Sequence, residues 1–271
     1  MDLHIENRVA IITGASSGIG LATAELLASE GCRLILTDVD GTDWSECERC
    51  VEEAAGGRQP FRIVTADLND AHDCRRLRDT AVNQFGSIHI VVHTAGITGA
   101  KGDPIEMSDE DYLEAYQIDF LSAVRIAREC IPVMRENGWG RFVAITSENA
   151  VQPYWEEAVY NTAKAALACF VKGLSRNEAQ HGILVNTVAP AFIATPMTDG
   201  MMHQRAEQEG VDFHEAVDTF LQQERPGIAM HRRGSPEEVA AVIGLLVSER
   251  ASFINGANYR VDGGSVQTVD A

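Results

Sequence analysis

Short apolar runs alternate along this chain with segments that read as helices. Arg8 to Thr13 (Arg-Val-Ala-Ile-Ile-Thr) is the first such run, in the form taken by a parallel strand buried on both faces. It leads into Thr13-Gly14-Ala15-Ser16-Ser17-Gly18-Ile19-Gly20, after which Leu21 to Glu30 reads as a helix with Gly31 at its end. Arg33 to Thr37 predicts a second strand that stops at Asp38. The pattern continues with a helix over 42–55, a strand over 61–65 ending near Asp67-Leu68, and a helix over 70–85. A strand over 89–92 opens into His93-Thr94-Ala95-Gly96. Ser108-Asp109-Glu110-Asp111 is an acidic helix start, and that helix runs to about Arg135. Strand 140–146, helix 157–181 and strand 183–188 follow. Ser235 before Pro236 marks one more helix start, and Tyr259 to Val261 is a last strand, closed by Asp262-Gly263-Gly264.

Repeated βα units imply an α/β fold: a doubly wound, Rossmann-like parallel sheet with helices on both faces. No Ser/Pro/Gly-rich linker divides the 271 residues, so residues 1–271 are expected to form a single domain. Residues 190–233 break the rhythm. They are polar and Met-rich (Met197, Met201, Met202), with His203 and His214. The stretch leaves the carboxyl edge of a strand, where a lid over a pocket would stand; a solvated helical excursion is the plainer alternative.

Composition narrows the partners. Lys and Arg number 22 against 40 Asp and Glu, a net charge of −18. That excess argues against nucleic acid and against an anionic membrane surface, both of which select basic faces. It leaves room for an anionic cofactor, because backbone amides bind phosphate locally. The start of the chain carries acids and no apolar core, and no apolar run is long enough to span a bilayer, so a cytoplasmic location is expected. The six cysteines are scattered. Cys47 and Cys50 make one C-x-x-C without a second half for zinc, and reduced thiols are the default. The histidines are read as showing no His-x-x-x-His or comparable ligand spacing, and no metal site is expected.

Within the first βα unit, strand, glycine turn and helix present backbone N–H groups and a helix dipole to a phosphate. The spacing is G-x-x-x-G-x-G rather than G-x-G-x-x-G. An acid at the end of the second strand, Asp38, suits a ribose diol and repels a 2′-phosphate; Val39-Asp40 follows, with no arginine. This favours NAD(H), with NADP(H) the weaker reading. Further on, Tyr160 and Lys164 are four residues apart. On a helix they share one face, and an ammonium beside a phenol lowers its pKa. Ser147, from another segment, would hydrogen-bond a substrate oxygen. Tyr-x-x-x-Lys alone is a weak signal, most often a surface pair.

Taken in order, these pieces resemble the short-chain dehydrogenase/reductase family of the NAD(P)-dependent type, over about Asn7 to Gly264. The matching residues are Thr13, Gly14, Gly18 and Gly20; Ser147 thirteen residues before Tyr160; Lys164; Arg233 to Glu238; and Val261-Asp262-Gly263-Gly264. The resemblance implies hydride transfer between the cofactor and a secondary alcohol or ketone. Tyr160 would be the general acid/base, Lys164 its partner and a ribose ligand, and Ser147 the anchor of the substrate oxygen. The cofactor would lie against Gly14, Ser17, Gly18, Ile19, Gly20, Asp38, Asp67, Leu68, Thr94 and Gly96, then Tyr160, Lys164, Pro190, Ile193 and Thr195. Glu148, Gln152, Tyr154 and Trp155 fall where the family shapes its pocket, which suggests a polyhydroxylated or cyclic substrate. A homotetramer is the family's usual assembly.

Three departures stand out. The family's Asn-Asn-Ala-Gly is His93-Thr94-Ala95-Gly96, its fourth catalytic residue, an Asn, is Asp119, and its Pro-Gly is Pro190-Ala191. Asp119 is expected to serve a proton relay through its carbonyl, or to raise the Lys164 pKa by its charge. The same departures motivate a second reading, an NAD(H)-binding scaffold or sensor with little catalysis.

Overall fold

The computed structural model describes residues 1–57 and 60–269. Its centre is a seven-stranded sheet in the order β3-β2-β1-β4-β5-β6-β7. The strands are β1 (Val9–Thr13), β2 (Arg33–Thr37), β3 (Phe61–Ile63), β4 (Ile90–His93), β5 (Gly140–Ile145), β6 (Ile183–Pro190) and β7 (Asn258–Val261). Every neighbouring pair is parallel. Ala10 of β1 stands level with Leu34 on one side and Ile90 on the other. The order reverses between β1 and β4, and the crevice outside the carboxyl ends of these two strands is where such sheets bind ligands.

Both sheet faces are covered, which is why the strands read as unbroken apolar runs. Residues alternate between two cores. Ala10 and Ile12 pack with α1 (Gly18–Ser29), α2 (Ser45–Ala55) and α9 (Pro236–Val247). Val9 and Ile11 pack with α3 (Ala71–Phe85), α5 (Ser122–Asn137) and α6 (Ala158–Glu178). Each fully buried Ile or Leu contributes roughly 1.5–3 kcal/mol by leaving water, and Ile11, Ile12, Leu27, Leu34, Ile90 and Ile126 are all in that state.

One segment differs from the sequence expectation. The long helix ending near residue 135 is not continuous. Its first part, α4 (Asp109–Ala115), passes into a π-helical turn over Tyr116–Leu121 before α5 begins. Such turns insert a residue into the helical repeat and tend to mark functional sites. Residues 190–233, read as a lid or a solvated helical excursion, hold two helices, α7 (Pro196–Glu209) and α8 (Phe213–Gln223). Each has a side-chain cap, Thr195 and Asp212. They share a small core of Phe192, Met202, Phe220, Leu221 and Ile228, separate from the two main ones. Among the described residues no helix is long and apolar enough to cross a membrane.

Candidate active site

A cleft of about 490 Å³ opens at the reversal point, lined from the glycine turn through Asp38, Asp67 and Leu68 to Ser147, Tyr160, Lys164, Ile193 and Thr195. Its floor at one end is backbone. Gly14 takes φ 62°, and a Cβ built on Gly20 would lie 2.0 Å from the Gly14 carbonyl oxygen, so only glycine lets this turn close. Ser17, the residue before α1, makes no capping bond, and the first turn of α1 carries no acid. The positive end of the helix therefore faces the cleft without a resident anion. Asp38 accepts from the Ser16 hydroxyl (2.6 Å) and from the Val39 amide (2.9 Å). Lys164 is the only cation among the lining residues.

The altered His93-Thr94 pair shows how the missing amides are replaced. The Thr94 hydroxyl donates to the Thr13 carbonyl (2.5 Å), tying β4 to the glycine turn. His93 is fully buried, with Nδ1 3.0 Å from Thr13 Oγ1 and Nε2 3.1 Å from Ser122 Oγ. The ring thus joins β1 to the helix behind the sheet. Burial, reinforced by the Lys164 charge, pushes its pKa down to about 3, so it is a neutral strut. His89 and His93 are in fact four residues apart, a spacing the sequence reading passed over. In extended chain that separates them by about 13 Å, and His89 Nδ1 accepts from the Val9 amide (3.1 Å).

The other end of the cleft is built from charged side chains. Tyr160 lies in the first turn of α6 and Lys164 one turn on, with Nζ 5.5 Å from the phenol ring centre. Nζ is 3.1 Å from Asp119 Oδ1 and donates to the Ile145 carbonyl (3.3 Å). The π turn carries Asp119 inward to this position, where it is completely buried. Its Oδ1 also accepts the Ile97 amide (3.0 Å), while Oδ2 has no partner within the protein. Gly96 makes the space: a Cβ there would lie 2.5 Å from Asp119 Oδ1.

The electrostatic balance differs from the sequence expectation. Burial raises the Tyr160 pKa above the ordinary tyrosine value; Lys164 pulls it down as expected, Asp119 pushes it up, and the net direction is upward. Burial opposes the charge on Lys164, but Asp119 and the Tyr160 phenol outweigh it, so the ammonium holds its proton more tightly than a free lysine.

Ser147, at the end of β5, lines the cleft, and its hydroxyl donates to Asn149 Oδ1 (3.0 Å). Asn149 Nδ2 in turn donates to Glu157 (2.7 Å) and to Asn161 (2.8 Å). Glu157 binds Lys101 (2.7 Å) and Arg225 (2.9 Å). Burial acts against the Glu157 carboxylate, but Arg225 and Lys101 hold its pKa below the usual range. Arg225 follows α8, and its guanidinium stacks 3.6 Å from the Tyr154 ring centre. A continuous polar chain therefore joins the 190–233 segment to Ser147. Sequence reading missed Asn149, Glu157 and Arg225; the one local hint is Asn149 two residues after Ser147, a spacing suited to side-chain turns.

Glu148, Gln152 and Trp155 do not line this cleft. Glu148 is buried, accepts from the Tyr154 hydroxyl (3.0 Å) and has its Oε2 unpartnered; burial raises its pKa. Gln152 donates to the Ser265 carbonyl (3.0 Å) and accepts from the Gln267 amide (3.2 Å). Trp155 is 66% exposed. Pro190 and Thr94 are lining residues, and Gly18 touches Thr195, with a Cβ there 3.0 Å from Thr195 Cγ2. Cys47 is buried and Cys50 partly so, both as free thiols.

A glycine turn at a sheet reversal, an acid on the neighbouring strand and a Ser-Tyr-Lys group in one cleft are the features of a nucleotide-dependent oxidoreductase of the Rossmann-like kind. The family model described as Enoyl-(Acyl carrier protein) reductase matches residues 14–266. The chain belongs to the short-chain dehydrogenase/reductase family. It is 31% identical over 266 residues to a 3-oxoacyl-(acyl-carrier-protein) reductase from Aquifex aeolicus (strain VF5), covering 97% of this chain and 99% of that one. It is 32% identical over 259 residues to a short-chain reductase protein of Streptomyces niveus, covering 96% and 94%. Among solved structures, the L-sorbose reductase of Gluconobacter frateurii in complex with NADPH and L-sorbose superposes with a TM-score of 0.92 at 34% identity, over 99% of this chain and 100% of that one. The family uses a nicotinamide cofactor. The residues here fit one: the glycine cradle a Cβ would fill, the uncapped α1 terminus, the Asp38 carboxylate and the buried Lys164 ammonium all face the same cleft.

Proposed function

We propose that the chain is an NAD(H)-dependent ketoreductase and secondary-alcohol dehydrogenase for a small, polyhydroxylated ketone. The observation that carries this is the meeting of Ser147, Tyr160 and Lys164 in one cleft with the glycine turn. Ser147 would hold the substrate oxygen by its hydroxyl. Tyr160 would give that oxygen a proton on reduction and take it back on oxidation. Lys164 would bind a ribose hydroxyl and hold the phenol in place. When bound, the nicotinamide supplies or accepts the hydride. Glycines 14, 18 and 20 would cradle the pyrophosphate, and Asp67 and Leu68 would flank the adenine.

The NAD preference is supported by Asp38 and by the absence of an arginine among the residues lining the adenosine end. The sugar ketone is supported by the likeness to L-sorbose reductase, although that relative was solved with NADPH. A homotetramer in the cytoplasm is the assembly and location that go with this reading. The test is oxidation of NADH against a panel of ketoses and cyclic ketones, with NADPH run beside it. Turnover of none of them, with cofactor still bound, sinks the proposal. The scaffold reading predicts unchanged binding of cofactor and partner after Tyr160→Phe and no activity to lose.

A further inference from the structure

Resting on that reading, the buried contact between Asp119 and Lys164 says something about the direction of the reaction. Lys164 can act on the Tyr160 phenol only through its positive charge, since the two share one helical face with Nζ 5.5 Å from the ring centre. That charge is already matched. Asp119 Oδ1 stands 3.1 Å from Nζ, and the carboxylate has no exposed surface. The second oxygen, Oδ2, is buried without a protein partner, so among the described residues Lys164 is the only charged group bonded to the carboxylate, beside the neutral Ile97 N–H on Oδ1. An amide at this position could keep both bonds that Oδ1 makes, to the Ile97 N–H and to Nζ, and would carry no charge.

The other groups facing the phenol are few. From β5 comes the Ser147 hydroxyl, whose bond favours the phenolate; just before α6 comes Glu157, whose charge disfavours it from farther away and is itself paired with Arg225 and Lys101. Behind Lys164 lies the neutral ring of His93. The residues that the 190–233 segment contributes to the cleft, Thr195, Met197 and Thr198 among them, are all uncharged.

We propose that Asp119 is a positioning residue that cancels, through Lys164, the electrostatic pull on the Tyr160 phenol, so that the enzyme keeps its acid loaded across the neutral range and is poised for carbonyl reduction rather than alcohol oxidation. In reduction the phenol proton passes to the carbonyl oxygen and leaves a phenolate. In oxidation the phenolate must exist first, and Asp119 makes it scarce.

The test is Asp119→Asn, read by ultraviolet difference titration of the cofactor-free protein against its Tyr160→Phe counterpart, which isolates the phenolate absorbance of residue 160. The wild-type midpoint is expected above the ordinary tyrosine value of about 10, and the Asn variant lower by about one pH unit or more. Each unit is a tenfold gain in phenolate at neutral pH, so the rising, acid-side limb of the oxidation pH–rate profile should move to lower pH with it. Equal midpoints in the two proteins overturn the proposal. Should the Asn variant fail to fold, the wild-type titration decides alone, and a midpoint below about 10 overturns it. A shifted midpoint with no turnover on any ketone leaves the charge role standing and removes the proposed function instead.

Discussion

The two ends of the cleft are made of different materials. The end proposed to hold adenosine is backbone, small residues and two acids: Gly14, Gly18 and Gly20, the Thr94 hydroxyl on the Thr13 carbonyl, and Asp38 with Asp67. The end proposed for catalysis is a set of paired charges, Asp119 with Lys164 deep inside and Glu157 with Arg225 and Lys101 nearer the surface. A backbone cradle is specified by where the chain can turn. A set of paired charges is specified by which distant segments arrive together, and its groups change one another's proton affinities. The first end should therefore respond to substitution mainly in stability and binding, the second mainly in rate and pH dependence.

The sharpest way to break this contrast is Tyr160→Phe. It should cut turnover about 10²–10⁴-fold with little change in dinucleotide affinity by titration calorimetry; a matching loss of affinity would mean the ends are not separable. Next comes His93→Leu, which removes the ring between Thr13 and Ser122. It should lower unfolding free energy by about 1–3 kcal/mol, the cost of leaving buried hydroxyls short of a partner, as read from urea midpoints. An unchanged midpoint would mean the glycine turn does not lean on that strut.

Arg225→Ala should cost a similar or smaller amount, on the order of 1–2 kcal/mol, since Glu157 keeps Lys101. Its pH signature is distinctive. Glu157 has a depressed pKa in the folded state, so its stabilisation is complete above the unfolded value of about 4.3 and fades as pH falls through the lower folded value. The wild type should lose more stability than the variant on acidification through that window; parallel curves would disprove the pairing. The smallest effect is reserved for Asp38→Ala, which should narrow the NADH-over-NADPH preference about tenfold, close to 1.4 kcal/mol. Tighter binding of NADPH by the unaltered protein would reverse the argument.

The same contrast explains what could be read from the residues alone. The strands were legible because both faces of the sheet are covered, so Val9 to Thr13 and Leu34 to Thr37 carry no polar alternation. The glycine turn was legible because spacing reports backbone geometry directly. Tyr160 and Lys164 were legible as neighbours because four residues make one helical turn. The net effect of that pairing was not, since it depends on Asp119, which only a π turn brings inward. Glu157 and Arg225 are 68 residues apart, and nothing local to either announces the other. The bounds of α7 and α8 were obscured by their polar surfaces, although Thr195 and Asp212 stood at their starts as capping residues.

The π turn over Tyr116–Leu121 also sets a rule for editing this protein. A straight helix advances about 100° per residue, so deleting a single residue there to restore ordinary winding would re-space the residues of the turn around the helix axis, Asp119 among them. The carboxylate would swing off its ammonium. Frame and charge are thus interlocked: a designer wanting a tidier helix must first decide what to do with the orphaned lysine.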